Sequence, residues 1–381
     1  LKNCLWNHPD NASKVLEIIK NTLQQFNKQV PVDAVEVQDA SGKWVAVGTS
    51  QKQANLPVVQ TSRVVVAIKT IVPAKKGSVV KGWFGSGTEA DPLQVTCLED
   101  LLELAEPHIG QNGYYFVQTT DIDGSQVEAW NDIIFQGHYD GQGFVIYSGG
   151  SSGWFSSSGK PVFSEVKQNS TLKNIKVNNG MLAKELKNST VTNCTTSGSL
   201  IGNVNDSEIT NCSTRECLVS EYAKNSTIIL SSSEKSLING GVNNCTIKQC
   251  NAKNVLLGSG SIVAINVSNC YILVENGGVG IYNNNAYGSA IENSTIENCY
   301  IDLTKDAPNN SYLSSGIAHK VSSKTSVRYC AIGGGASRSS LSWGLSDSDY
   351  GSPTCEGNII IDSYEYKRHE NLKYISKSQW K

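Results

Sequence analysis

Side chains able to do acid–base, metal or nucleophilic chemistry are unevenly spread along this sequence. Carboxylates gather in one stretch, at Asp121, Asp123, Asp132 and Asp140. Cleaving a glycan needs two carboxylates facing one bond, one as acid and one as base or nucleophile. Asp123-Gly124 and Asp140-Gly141 are also turn dipeptides, because Asp hydrogen-bonds its own backbone and Gly accepts any φ. We read all four aspartates as turn formers. Asp121-Ile122-Asp123-Gly124 looks like the start of a calcium loop, but the later oxygen ligands do not follow. Glu185, Asp206, Glu208, Glu216, Glu221 and Glu234 share no column of the repeat described below, so no carboxylate pair is expected there. His8, His108, His138, His319 and His369 lie apart from one another and from the cysteines, and no G-x-S-x-G elbow occurs. No catalytic residue, metal ligand or cofactor is therefore expected.

Sugar recognition asks for different residues. Aromatic rings set among Asn, Ser and Gly can stack on a sugar or meet a protein partner. Tyr282, Tyr287, Tyr312, Trp343 and Tyr350 are such residues, in the interruptions at 276–288, 305–323 and 337–352. They are the candidate ligand-binding residues. The alternative is that they cover hydrophobic strands.

These interruptions punctuate a repeat running from about Asn169 to Cys330. The apolar residues Leu172, Val191, Ile209, Ile228 and Ile247 recur 19, 18, 19 and 19 residues apart, and Val267, Ile296 and Val327 continue the series more loosely. Two places after them sit Asn174, Asn193, Asn211, Gln249, Asn269 and Asn298. Three places after them sit Ile175, Cys194, Cys212, Ser231, Cys250, Cys270, Cys299 and Cys330. Positions three apart on a straight strand face opposite sides. The chain must bend between them, and Asn tolerates the left-handed conformation that a tight bend needs. A second column, Asn169, Asn188, Asp206, Asn225, Asn244 and Asn293, marks the corner before each strand. Short strands joined by such corners, with this period, predict the coils of a parallel β-helix with stacked Asn and an inner column of Cys. The Asn-x-Ser/Thr triplets coincide with the corner and reflect the ladder rather than glycosylation.

Of the 11 Cys, seven fall on repeat columns, and there is no CxxC. We read them as small hydrophobes packing a narrow core, with Cys330–Cys355 or Cys212–Cys217 as the alternative disulfides. The net charge of -2 and the lack of basic tracts speak against nucleic-acid binding. No apolar run approaches the ~18 residues that span a bilayer. The chain begins at Leu1 without a signal peptide, and we expect a processed chain whose export signal has gone.

Upstream of the repeat, Val15, Ile18, Ile19, Leu23 and Phe26 fall at helical spacing. Val30 to Val37 and Trp44 to Val47 read as a hairpin, and Arg63 to Val72 as a further Val/Ile-rich strand region. Residues 1–80 are thus a small α/β or β-rich domain, 81–165 an entry and capping segment, 166–335 the coils and 336–381 a C-terminal cap. In the entry segment, Thr96 and Glu99 suggest a capping box on a helix from Cys97 to Glu106 that Pro107 ends.

The entry segment contains Gly85-Ser86-Gly87-Thr88-Glu89-Ala90-Asp91-Pro92, then Gly113-Tyr114-Tyr115-Phe116-Val117-Gln118 and Gly137-His138-Tyr139-Asp140-Gly141-Gln142-Gly143. It resembles the start of bacterial cell-surface proteins with a right-handed parallel β-helix, pectin-lyase-like and GLUG-adhesin-like. The coils lack the GLxG signature of GLUG repeats. The resemblance implies a right-handed single-stranded parallel β-helix with an N-terminal cap, at the cell surface or outside the cell. The expected function is a non-enzymatic adhesin or glycan-binding protein, whose partner is a host or bacterial glycan or surface protein. The alternative is a polysaccharide lyase or hydrolase, including a phage tailspike depolymerase, which requires carboxylates on neighbouring coils.

Overall fold

The computed structural model describes residues 80, 82–127, 132–148, 160–258, 260–275, 280–281, 291–305, 322–333 and 358, with backbone strands at 4–6, 35–38, 44–46, 64–66, 68–70, 354–356, 359–361 and 373–375. The chain forms two compact units, Leu1–Ser86 and Gly87–Lys381. In the first, Val35–Gln38 pairs antiparallel with Trp44–Ala46 and with Ile68–Thr70, and Cys4–Trp6 pairs with Val64–Val66. The hairpin and the Val/Ile-rich strands appear where β-branched residues alternate. The helical pattern at 15–26 lies outside the described residues.

The second unit is a parallel β-helix. Each coil contributes a strand to sheet 1, turns into sheet 2, crosses to sheet 3 and returns to sheet 1 one level on. Sheet 1 runs from Leu93–Val95 to Thr354–Glu356, sheet 2 from Ile122–Asp123 to Lys373–Ile375, and sheet 3 from Ile134–Phe135 to Ile291–Glu292. The repeat sets the register. Leu172, Val191, Ile209, Ile228, Ile247, Val267, Ile296 and Val327 stand directly above one another in sheet 1, and all are buried. Each such aliphatic side chain contributes about 1.5–3 kcal/mol by leaving water. The entry coils fill the same space with aromatics: Phe135 lies 5.7 Å from Phe116 and 5.2 Å from Phe163, ring centre to ring centre.

The corners are built as the Asn columns require. Between sheets 1 and 2, Asn174, Asn193, Asn211, Asn269 and Asn298 are left-handed, with φ from 51° to 56°. Between sheets 3 and 1, Asn188, Asp206, Asn225, Asn244 and Asn293 have φ from 45° to 52°. Their side chains hydrogen-bond along the axis. Asn193 Nδ2 donates to Asn174 Oδ1 over 3.2 Å, Asn211 to Asn193 over 2.6 Å, and Asn244 to Asn225 over 3.0 Å. At Leu230 and Tyr329 the same corner holds a residue with no amide to give, at φ 53° in both cases. Such residues meet steric strain of about 1–2 kcal/mol in this conformation, so the coils on either side impose it.

The residue after most left-handed corners carries a second device; Ile175 and Ile265 are exceptions. Ser189 Oγ donates to the Lys187 carbonyl over 2.8 Å, and Ser207 Oγ to Asn205 over 2.6 Å. Cys194, Cys212, Cys250 and Cys299 Sγ point in the same way at the carbonyl two residues back, each at 3.3 Å. That carbonyl also accepts the N–H of the corner residue one coil before, as Thr192 does from Asn174 over 3.1 Å, and the short donor side chain adds a second bond to its other lone pair. This explains why Ser231 sits in the Cys column and Cys245 in the Ser column: the requirement is for a small side chain that is both buried and a donor.

Two details of the entry segment differ from expectation. Helix α1, Leu98–Glu103, has Cys97 at its N-cap with no side-chain cap bond. Instead, Thr96 N and Oγ1 both donate to Asp100 Oδ2, at 2.7 and 2.6 Å. The nearby Asp outcompetes Glu99 because its shorter side chain reaches the start of the helix directly. Nor does Pro107 only end a helix: it opens the single turn α2, Pro107–Gly110, where its missing N–H costs nothing.

Candidate functional site

The site is the outer face of sheet 2. Its strands in the middle coils are only two residues long, Thr195–Thr196, Ser213–Thr214 and Ser232–Ser233. Outward positions stack in one column: Val145, Lys176, Thr195, Ser213, Ser232, Asn251, Tyr271 and Tyr300. Three small hydroxyl residues in succession, between Lys176 on one side and Asn251 and Tyr271 on the other, leave a trough. Its volume is about 580 Å³. Asn178, Ser197, Arg215 and Glu234 form the adjoining wall. Ser197 Oγ donates to Asn178 Oδ1 over 3.2 Å and accepts from the Asn179 N–H over 2.8 Å, which fixes that wall. Lys176, Arg215 and Glu234 are exposed.

The floor is polar too. The inward column carries Val177 below and Ala252 above, but Thr196, Thr214 and Ser233 between. Thr196 Oγ1 donates to the Gly198 carbonyl over 2.8 Å. The buried hydroxyls of Thr214 and Ser233 have no hydrogen-bond partner. A surface of donors and acceptors with cations beside it can bind a hydroxyl-rich, anionic chain.

Sheet 3 carries a second polar cluster, and it brings in Glu165, which is not among the six acidic residues of the repeat. Glu165 and Glu185 are in register on neighbouring coils. Lys187 Nζ lies 2.9 Å from Glu165 and 3.8 Å from Glu185. Asn203, one coil on, donates to Glu185 over 2.9 Å and to Glu221 over 2.6 Å. The hydrogen bond that Lys187 donates to Glu165 raises the Lys187 pKa. The pairing was hidden because Glu165 precedes the regular repeat.

The other candidates are placed as follows. Asp121 Oδ1 accepts from the Val145 N–H over 2.8 Å, and Asp123 Oδ1 from the Ser125 N–H over 3.0 Å. Asp140 ends the Asn ladder, accepting from Asn174 over 2.9 Å and from the Gln142 N–H over 3.0 Å, with Lys173 3.2 Å away. Burial alone raises its carboxyl pKa, but those three partners outweigh it and hold the group below the usual range. Asp132 is exposed. Among the described residues no three His, Cys, Asp or Glu are grouped to hold a metal ion. Tyr282, Tyr287, Tyr312, Trp343 and Tyr350 lie outside the described residues. Sequence reasoning missed Tyr271 and Tyr300, although both directly follow a column cysteine, Cys270 and Cys299, at a position that is exposed or half-buried in each coil from Lys176 to Tyr300.

No protein-family model matches the chain, and no curated protein matches it. Among solved structures, the chain is similar to an immunoglobulin A1 protease-like protein of Bacteroides ovatus, at 14% identity over 72% of this chain and 85% of the other, with a TM-score of 0.32. PfbA, a surface adhesin of Streptococcus pneumoniae, is 10% identical over 68% and 76%, with a TM-score of 0.34. A mannuronic acid specific polysaccharide family 6 lyase from human gut microbiota is 11% identical over 68% and 71%, also with a TM-score of 0.34.

The cysteines serve the scaffold. All nine described ones are free thiols, including Cys212, Cys217 and Cys330, so the Cys212–Cys217 bridge is not formed. Burial, then the neighbouring Cys212, pushes the Cys194 thiol far up. Contact with Cys270, then burial, does the same to Cys250. Reactivity needs thiolate. Under native conditions at neutral pH, a maleimide is expected to label the half-buried Cys97 and Cys217 slowly and to spare the seven buried cysteines until the coils unfold. Peptide-resolved mass spectrometry with and without denaturant checks this.

Proposed function

We propose that this chain is a non-enzymatic glycan-binding β-helix, acting at the bacterial surface or outside the cell as an adhesin or stalk, and that it holds an extended anionic glycan along sheet 2. The observation that carries this reading is the trough over Thr195, Ser213 and Ser232, with Lys176 and Arg215 exposed at its edge. Coils about 4.8 Å apart present hydroxyls at intervals close to the length of one sugar unit. A rigid array of this kind loses little entropy when a chain docks. The partner is a host or bacterial glycan. The test is a glycan array followed by titration with uronic-acid oligosaccharides. Wild-type protein is expected to bind without turning them over, and Arg215→Ala to weaken binding roughly fivefold, the value of one exposed charged hydrogen bond of about 1 kcal/mol. Absence of binding across the array would refute the reading.

A second reading, polysaccharide cleavage by a lyase or hydrolase, gains support from Glu165 and Glu185, in register with Lys187 between them. Release of oligosaccharides from a uronate polymer, abolished in Glu185→Gln, is the result that would favour it over the first.

A further inference from the structure

We propose that Tyr271, with Tyr300 behind it and Asp302 holding its phenol, is an aromatic subsite at the end of the sheet 2 trough, binding the apolar face of a pyranose ring. The proposal rests on the glycan-binding reading above and gives that site a second contact of different chemistry. Tyr271 continues the outward column two coils beyond Ser232, about 10 Å further along the axis. It is 37% exposed, and among the described rings only Tyr329, at 50%, is more so. Its ring lies 5.6 Å from that of Tyr300, tilted by 39°. Its hydroxyl donates to Asp302 Oδ2 over 3.1 Å. Burial, then this hydrogen bond, pushes the Tyr271 pKa up to about 12, so the phenol remains a donor at any physiological pH. A ring pinned at its hydroxyl and backed by a second ring is already ordered before a ligand arrives, which removes an entropic cost of stacking. Pyranose rings have one face of C–H groups and a rim of hydroxyls. The face suits an aromatic ring, and the rim suits Asn251, which stands between Tyr271 and the trough. The occupant is therefore a carbohydrate chain long enough to leave the trough and reach the ring.

The ring pair could instead serve stability alone, as stacked aromatics on a sheet do. Ligand length separates the two roles. Uronic-acid oligosaccharides are titrated by calorimetry in two sizes, one filling only the trough and one reaching Tyr271. Tyr271→Ala is expected to weaken the long oligosaccharide about tenfold and to leave the short one unchanged. Tyr271→Phe, which keeps the ring, should retain most of the affinity for the long one. In wild-type protein labelled with fluorotyrosine, the Tyr271 resonance should move with the long oligosaccharide and not with the short one; this readout stands even if the alanine variant misfolds. Equal loss for both lengths, or no loss together with an unmoved resonance, overturns the subsite. Loss in Arg215→Ala without loss in Tyr271→Ala leaves the trough reading intact and sinks only the subsite. If wild-type protein binds neither length, both fall.

Discussion

Gly240→Ala is expected to destabilise the coils by about 3 kcal/mol or more. Gly240 lies between two strands of one coil, Ser236–Ile238 and Gly241–Asn243. The strand of the previous coil, Val219–Lys224, pairs with both. A Cβ added at Gly240 would fall 1.3 Å from the Glu221 carbonyl oxygen. That atom belongs to the backbone of the adjacent coil, so no rotamer change relieves the clash. The coil must move away, and the hydrogen bonds on both sides of it weaken together. Gly143→Ala offers the contrast. Its nearest neighbour would be the flexible Lys176 Nζ at 3.9 Å, so only the cost of its φ of +80° remains, about 1 kcal/mol. Denaturant titrations of the two variants should differ in midpoint in that order. Equal midpoints would show that the coil has room the structure does not contain.

Leu172→Ala should cost about 2–5 kcal/mol. Leu172 is fully buried, and it stands in register between Tyr139 and Val191. Removing its branched end opens a cavity between two neighbours that are themselves fixed by parallel pairing, so the gap cannot close by collapse. Coils touch mainly the coils above and below, and energy in such an array is a sum over neighbours. Hydrogen exchange should therefore speed up first in the strands His138–Asp140 and Thr190–Thr192 and least in the distant Thr295–Glu297. Uniform acceleration across all of these strands would contradict the nearest-neighbour picture.

Much of the scaffold was legible because every coil repeats the same physical demands. An apolar residue for sheet 1, an Asn able to turn left-handed and a small donor after it recur at fixed spacing, so Leu172 to Val327 could be aligned by eye. The donor role of the Cys column was less visible. Cysteine reads as a small hydrophobe from its type alone, and only the geometry shows Sγ aimed at the carbonyl two residues back. The Glu165–Glu185 pair escaped because one partner precedes the repeat, so no column from the repeat could reach it. Tyr271 and Tyr300 escaped for the opposite reason. The candidate aromatics lie in the interruptions, whereas these two lie inside regular coils at a position occupied elsewhere by Thr, Ser and Asn. A binding surface made by a change of residue within a column leaves no break in the pattern.

The axial direction of the ladders has a mechanical consequence for the second unit. The hydrogen bonds between strands run along the axis, and so do those between stacked Asn side chains. A pull between the two ends of the coil therefore loads these bonds in tension. Within one coil the three sheets share the load, while successive coils bear it in series. Such an array gives way at its weakest coil and then at the next, without a single rupture. Each released coil of 19 residues, the spacing from Leu172 to Val191, would add roughly 65 Å of slack chain. An array built in this way yields coil by coil and dissipates work at each step.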